Sequence, residues 1–98
     1  MNKILSIGTI VKVRGMYDGV NLMIIGYFPI EKETEKIFDY SGILYPQGLV
    51  GERSVFLFFD EDIEDIIFEG YSDDESEEFR KALPMLLEKM AEFEENWF

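Results

Sequence analysis

The spacing of apolar residues changes once along the chain, between Tyr71 and Asp73. Before that point, short runs of β-branched and aromatic residues alternate with glycine, proline and aspartate, which is typical of strands joined by tight turns. After it, apolar residues recur at three- and four-residue spacing, the period of an amphipathic helix. The spacing therefore predicts strands first and a helix afterwards.

Five segments of the first part have the composition of strands. They are 9–14, 21–30, 37–45, 54–59 and 66–71. The fourth is so continuously apolar that we expect it to be an inner strand of the sheet. Gly26 interrupts the second and predicts a bulge or a sharp bend. The acidic stretch 60–65 predicts a short turn or one turn of helix, because Asp60 suits a helix N-cap.

Five short antiparallel strands favour a barrel, because closure removes exposed strand edges. A helical turn between the fourth and fifth strands would suit an SH3-like barrel, which is one candidate sub-type. We therefore predict an α+β fold, with a small five-stranded antiparallel barrel followed by a C-terminal amphipathic helix. The chain, 1–98, is predicted as a single domain, with the barrel at about 7–71 and the helical tail at about 73–97.

The predicted helix is capped by Asp73 or Asp74, with acidic residues in its first turn. Pro84 predicts a kink or break near Leu83, with the proline opening a second segment. Burying one Leu or Phe contributes about 1.5–3 kcal/mol, so we expect the first half of the apolar face to pack on the barrel. That face consists of Phe79, Leu83, Leu86, Leu87, Met90, Phe93 and Trp97.

Charge and composition exclude several classes of function. The formal net charge is −12, with only 9 Lys and Arg, which opposes binding to nucleic acid or to anionic membranes and favours a basic protein partner. The chain has no His and no Cys, so a Ser-His-Asp triad, His metal sites and disulfides are excluded. No run approaches the ~20 apolar residues of a membrane span. We expect a cytoplasmic protein that is not an enzyme and holds no cofactor.

Clustered carboxylates at 60–65 raise a Ca²⁺ or Mg²⁺ hypothesis. The spacing of an EF-hand loop, with its central glycine and terminal glutamate, is absent. A solvated, capped turn explains the same acids. We therefore expect no metal site.

Two groups of residues are candidates for contacting a partner. Tyr40 and Tyr45 lie on either side of Gly42, and Pro46 follows Tyr45. Either the tyrosines form an exposed aromatic contact surface or they pack the barrel rim with their hydroxyls in water. The second group lies at the end of the helical tail. A chain terminus is usually poorly ordered, so without a contact these large apolar residues would be exposed to water. We expect this group to meet another chain, with a second copy of the protein among the candidates. Its members are Met90, Phe93, Trp97 and Phe98.

Several segments together resemble the bacterial family of domain of unknown function 4176 (DUF4176). They are I-G-T-I-V from Ile7, L-M-I-I-G-Y from Leu22, D-Y-S-G-I-L-Y-P-Q-G from Asp39, F-F-D-E-D-I from Phe58 and I-I-F-E-G-Y from Ile66, followed by the acidic run that ends at Phe79. Members of this family occur in Gram-positive bacteria, often encoded beside LXG toxins of the type VIIb secretion system. The resemblance implies a cytoplasmic chaperone or targeting factor that holds a basic segment of such a toxin. The alternative is an immunity protein that neutralises the toxin domain.

Overall fold

The chain folds into five strands and one long helix, in the predicted order. A computed structural model describes residues 3–51 and 54–97. The strands are β1 (Ile10–Val13), β2 (Asn21–Tyr27), β3 (Tyr40–Tyr45), β4 (Val55–Phe58) and β5 (Ile63–Phe68), and the helix is α1 (Asp74–Trp97). A one-turn 3-10 helix at Asp60–Asp62 separates β4 from β5, which confirms the predicted turn of helix in this acidic stretch. The predicted α+β class is confirmed.

All five strands lie in one antiparallel sheet, in the spatial order β4-β3-β2-β1-β5. β2, β3 and β4 each pair with the strand before them in the chain, so β4 lies at one edge, and the 3-10 turn carries the chain to the far side of β1. The prediction that the fourth segment is an inner strand is therefore wrong. The sheet is also open, because β4 and β5 are its two edges, and "barrel" describes it only loosely.

Irregular pairing bends the sheet at two places. The β2–β3 register shifts between Ile24 and Gly26, which confirms the predicted bulge. A β-carbon at Gly26 would meet the Ser41 hydroxyl, so the glycine permits close approach of the two strands. The β1–β5 pair shifts register twice, and such shifts increase the local twist of a strand pair.

The core lies on one face of this bent sheet. Leu22 and Ile24 alternate on β2, and both are fully buried together with Val11 of β1. Phe58 of β4 packs against the Tyr40 ring with a centroid separation of 5.7 Å. The period of two along each strand places these side chains on a common face.

Two tyrosine hydroxyls hold the segment that precedes β1. The Leu5 N–H donates to the Tyr40 hydroxyl at 3.0 Å, and the Tyr27 hydroxyl donates to the Leu5 carbonyl at 2.6 Å. Leu5 itself is buried in the core. These bonds satisfy both backbone groups of a buried residue outside the strands, where an unmade bond would be costly. We call this arrangement the tyrosine clamp.

A second buried polar network joins the same segment to the chain after β5. The Ser6 hydroxyl donates to the Gly70 carbonyl at 2.9 Å, and the Gly70 N–H donates to the Thr9 hydroxyl at 3.0 Å. The two hydroxyls lie 3.1 Å apart, and both side chains are buried. A β-carbon at Gly70 would overlap backbone atoms of Ile7, Gly8 and Thr9. Only glycine fits at this position without a shift of the backbone.

Asp73 caps the helix. Its carboxylate accepts the Ser76 N–H at 2.8 Å, and its own N–H donates to the Ser76 hydroxyl at 2.9 Å. This reciprocal pair is a capping box, so Asp73 rather than Asp74 is the N-cap, and Ser76 is its partner. The bonds from Ser76 lower the pKa of the Asp73 carboxyl below its ordinary value.

The helix continues through Pro84 as a single 24-residue element, so the predicted break is wrong. A proline removes one backbone N–H donor. The residues in the turns on either side of Pro84 keep their N–H donors, and the helix is continuous there. Leu83 is buried and the Phe79 ring lies 6.5 Å from the Tyr27 ring, so the first half of the apolar face does contact the rest of the chain. Phe79 nevertheless remains half exposed.

Replacing Gly70 by alanine should lower the free energy of unfolding by about 1–3 kcal/mol, because the added methyl group overpacks a site lined by backbone. Urea unfolding followed by circular dichroism measures the change. Glu69→Ala is the matched control: its side chain is 67% exposed, and we expect a change within about 0.5 kcal/mol. Equal stability of Gly70→Ala and the wild type would contradict the close approach at this residue.

The tyrosine clamp should make stability depend on alkaline pH. Burial is the main cause that raises the pKa of Tyr40 from 10.0 to about 12, so the unfolded chain ionises first. The contribution of the neutral Tyr40 side chain to the free energy of unfolding is fully present below pH 10 and is lost as the pH rises towards about 12. Urea unfolding at several alkaline pH values should show this decline.

Tyr40→Phe should reduce that alkaline decline. It should also cost about 1–3 kcal/mol at neutral pH, because the buried Leu5 N–H loses its acceptor. Tyr17 is 89% exposed, so Tyr17→Phe is the control and should keep both the stability and the decline. An unchanged decline in Tyr40→Phe would assign the pH dependence to other groups.

Candidate protein-binding surface

The edge strand β5 exposes three consecutive large apolar side chains. Ile66, Ile67 and Phe68 are 42%, 47% and 60% exposed. Ile66 and Phe68 pair with Val11 and Ile10, which are neighbours on β1 and point to opposite faces, so both faces of β5 present apolar groups. Tyr71, which is also exposed, lies three residues after Phe68. We call these four residues the β5 edge surface.

The backbone of β5 pairs on one side only. Its ladder partner is β1, and within residues 3–51 and 54–97 no strand pairs with its outer side. Exposed edges of this kind can pair with another chain, and natural proteins commonly shorten, charge or cover them. The β5 edge surface is neither short nor covered by another described strand.

Acidic residues flank the β5 edge surface. Glu64 and Asp65 precede Ile66 and Glu69 follows Phe68, and all three acidic residues are exposed. Lys3 lies 3.7 Å from the Glu69 carboxylate, and Lys12 of β1 is the register partner of Asp65. Exposed ion pairs of this kind contribute little energy. The stretch of β5 around Ile67 therefore has apolar residues in its middle and carboxylates at both ends.

Carboxylates in the turn before β5 serve as local caps. The Asp62 carboxylate accepts the Phe59 N–H at 3.3 Å, and Asp39 accepts the Asp60 N–H at 2.8 Å. Arg14 also lies 4.0 Å from Asp62. Among the residues whose positions are described, no three His, Cys, Asp or Glu side chains are grouped to hold a metal ion.

A second exposed apolar group lies at the β3–β4 loop. Tyr45 is half exposed, and Leu49 and Val50 are 60% and 64% exposed. The Ser54 hydroxyl orders this loop by bonding the Val50 N–H at 2.9 Å and the Val50 carbonyl at 2.6 Å. Gly48 has a φ of +76°, which explains the glycine by turn geometry.

Tyr40 does not share this surface. Its ring is fully buried and its hydroxyl belongs to the tyrosine clamp, so its assignment as an exposed contact residue is wrong. Tyr40 and Tyr45 are five positions apart on β3, and an odd separation on a strand directs side chains to opposite faces. The rim alternative is also wrong for Tyr40, since the residue is fully buried and its hydroxyl accepts the Leu5 N–H.

The remaining predicted contact residues lie outside what the structure describes. Phe98 is beyond the described residues, as are the side chains of Met90, Phe93 and Trp97. Their assignment to a partner contact stays a prediction.

Two other features are occupied by the chain's own groups. Phe38 and Phe59 stack with a centroid separation of 4.6 Å, and the Lys36 ammonium lies over both rings at 5.5 and 5.1 Å. A cleft of about 160 Å³ lies beside the start of α1. Arg80 at that cleft donates to the Ser72 hydroxyl at 2.6 Å and also bonds Tyr27, whose pKa is raised mainly by burial.

The β5 edge surface could be found only partly from sequence. The composition of 66–71 predicted a strand, but that strand begins at Ile63 and ends at Phe68. No sequence signal showed that its apolar residues would be exposed. The acids that flank it, read earlier as turn residues, were the one available indication of an edge.

Within the described part of the chain, no helix combines the length and the apolar content that a bilayer crossing requires.

The family resemblance is confirmed by comparison with known proteins. The sequence model of the family described as "Domain of unknown function (DUF4176)" matches residues 4–79. That range includes the whole sheet, both buried polar networks and the helix cap. No curated protein and no solved structure matches the chain. The chain therefore belongs to the DUF4176 family.

Proposed function

We propose that this chain is a non-enzymatic binding protein that acts as a chaperone or targeting factor for an LXG toxin of the type VIIb secretion system. The observation that carries a binding role is the β5 edge surface, an open strand with three consecutive exposed apolar residues. Isolated apolar residues on a surface are ordinary. A contiguous exposed group on an unpaired strand is characteristic of an interaction site.

Charge supports a basic partner. The net charge of the chain is −12, and the carboxylates that flank Ile66–Phe68 make the β5 edge surface locally negative as well. Complementary charge accelerates encounter and disfavours wrong partners. A basic, aggregation-prone segment of a toxin held in the cytoplasm before export has the chemistry that such a surface fits. Binding would stabilise that segment by mass action.

The choice of an LXG toxin comes from the family. DUF4176 proteins are often encoded beside these toxins, as accessory proteins are. The family model matches this chain over residues 4–79, most of its length. The alternative function is an immunity protein, which the strongly acidic charge favours because nuclease toxins are basic. The two functions differ in the half of the toxin that is bound.

Co-expression with the neighbouring LXG protein, supplied separately as its N-terminal and C-terminal halves, should recover the N-terminal half in a pull-down. Growth of cells that express the toxin half measures protection, which we expect to be absent. Capture of only the C-terminal half together with restored growth would establish the immunity alternative. Capture of neither half would contradict the link to the toxin.

A further inference from the structure

We infer that the β5 edge surface binds an extended basic segment of the partner, which adds to the sheet as a sixth strand beside β5. The inference rests on the proposed binding role and specifies how the partner is held. Strand addition of this kind obtains affinity from backbone hydrogen bonds and specificity from alternate side chains.

The backbone of β5 supplies the first argument. β5 spans six residues, Ile63–Phe68, whereas the opposite edge strand, β4, spans four. β1 occupies only its inner side. A strand laid along the outer side would therefore gain a ladder comparable in length to the strands already in this sheet.

The side chains of β5 supply the second argument. Ile66 pairs with Val11 and Phe68 with Ile10, and these two neighbours on β1 point to opposite faces. Ile66 and Phe68 therefore point to opposite faces of the sheet, and both are exposed, as is Ile67. Cross-strand neighbours would cover apolar groups on both faces at once. On β4, by contrast, Val55 is exposed, Phe56 and Leu57 are partly buried, and Phe58 is buried. The partner segment therefore needs apolar residues in its centre.

The acidic residues beside β5 indicate which kind of strand can pair with it. Two copies of this chain that paired antiparallel about Ile67 would place Asp65 of each chain opposite Glu69 of the other, and like charges in direct opposition destabilise a sheet. Two bodies of net charge −12 would also repel each other. A segment with lysine or arginine at both ends would instead meet Asp65 and Glu64 at one end and Glu69 at the other. The edge thus selects against self-pairing and for a basic strand.

A synthetic peptide, Lys-Lys-Val-Ile-Val-Thr-Lys-Lys, provides the probe. It is titrated into the full-length, isotope-labelled protein, and amide chemical shifts and hydrogen exchange are followed by nuclear magnetic resonance. We expect shifts and added protection at amides of β5. A peptide with Glu in place of every Lys should not bind, because charges would then repel. A peptide with prolines in place of Ile and Thr should bind far more weakly, because proline cannot donate to a ladder.

Matched variants locate the site. Ile67→Thr should weaken peptide binding about fivefold or more, because apolar area is lost from the interface. Val55→Thr makes the same kind of change on the opposite edge, where Val55 is 39% exposed, and should leave binding within about twofold. Both variants are compared with the wild type by urea unfolding, so that a change of fold is not mistaken for a change of affinity.

Four outcomes would overturn the inference. These are peptide shifts confined to the β3–β4 side, equal binding of the acidic peptide, loss of binding in Val55→Thr but not in Ile67→Thr, or protection in the free protein of those β5 amides that face away from β1. The last would mean that a second copy or the chain's own C-terminal end covers the edge, and dilution separates these two. If Ile67→Thr still captures the toxin half normally, the proposed function stands and this mode of binding fails.

Discussion

The structure depends on how the chain holds the short segment that precedes β1. Leu5 lies in the core but outside any strand, so its backbone groups have no ladder partners. The hydroxyls of Tyr27 and Tyr40 provide them, and Ser6 and Thr9 bond the backbone of Gly70. These two networks connect the beginning of the sheet with its end. They are satisfied only when β1, β2, β3 and the segment after β5 are all in place, which makes the sheet a cooperative unit.

The same arrangement leaves one edge open. Anchoring at Gly70 directs the chain away from β5 and into α1, which begins at Asp74. The helix contacts the sheet near Tyr27 through Phe79 and Arg80. β5 therefore presents apolar side chains on both faces and unpaired backbone along its outer side, flanked by carboxylates. Those carboxylates oppose association between copies of the chain while leaving the edge available to a basic strand.

Sequence patterns predicted part of this surface and missed the rest for a definable reason. Apolar composition identifies 66–71 as strand, yet burial depends on which strands stand beside it. Tyr40 and Tyr45 look equivalent as sequence, and the parity of their positions on β3 sends one into the core and leaves the other half exposed. Pro84 was expected to break the helix, but the turns on both sides maintain it. Ser6, Thr9 and Gly70 carry no sequence signal as a group, because they are brought together from positions 61 and 64 residues apart.

What the sequence by itself determined were the properties that depend on local pattern: five strands, a following helix, the bulge at Gly26, a helix cap at Asp73 or Asp74 and the acidic charge. Each follows from the period of apolar residues, from turn chemistry or from a count of ionised groups. Tertiary structure alone decided the strand order, the open sheet, the edge position of β4, the burial of Tyr40 and the exposure of β5. Those features depend on contacts between residues distant in the chain, because a strand is buried only by the neighbours that the fold places on it.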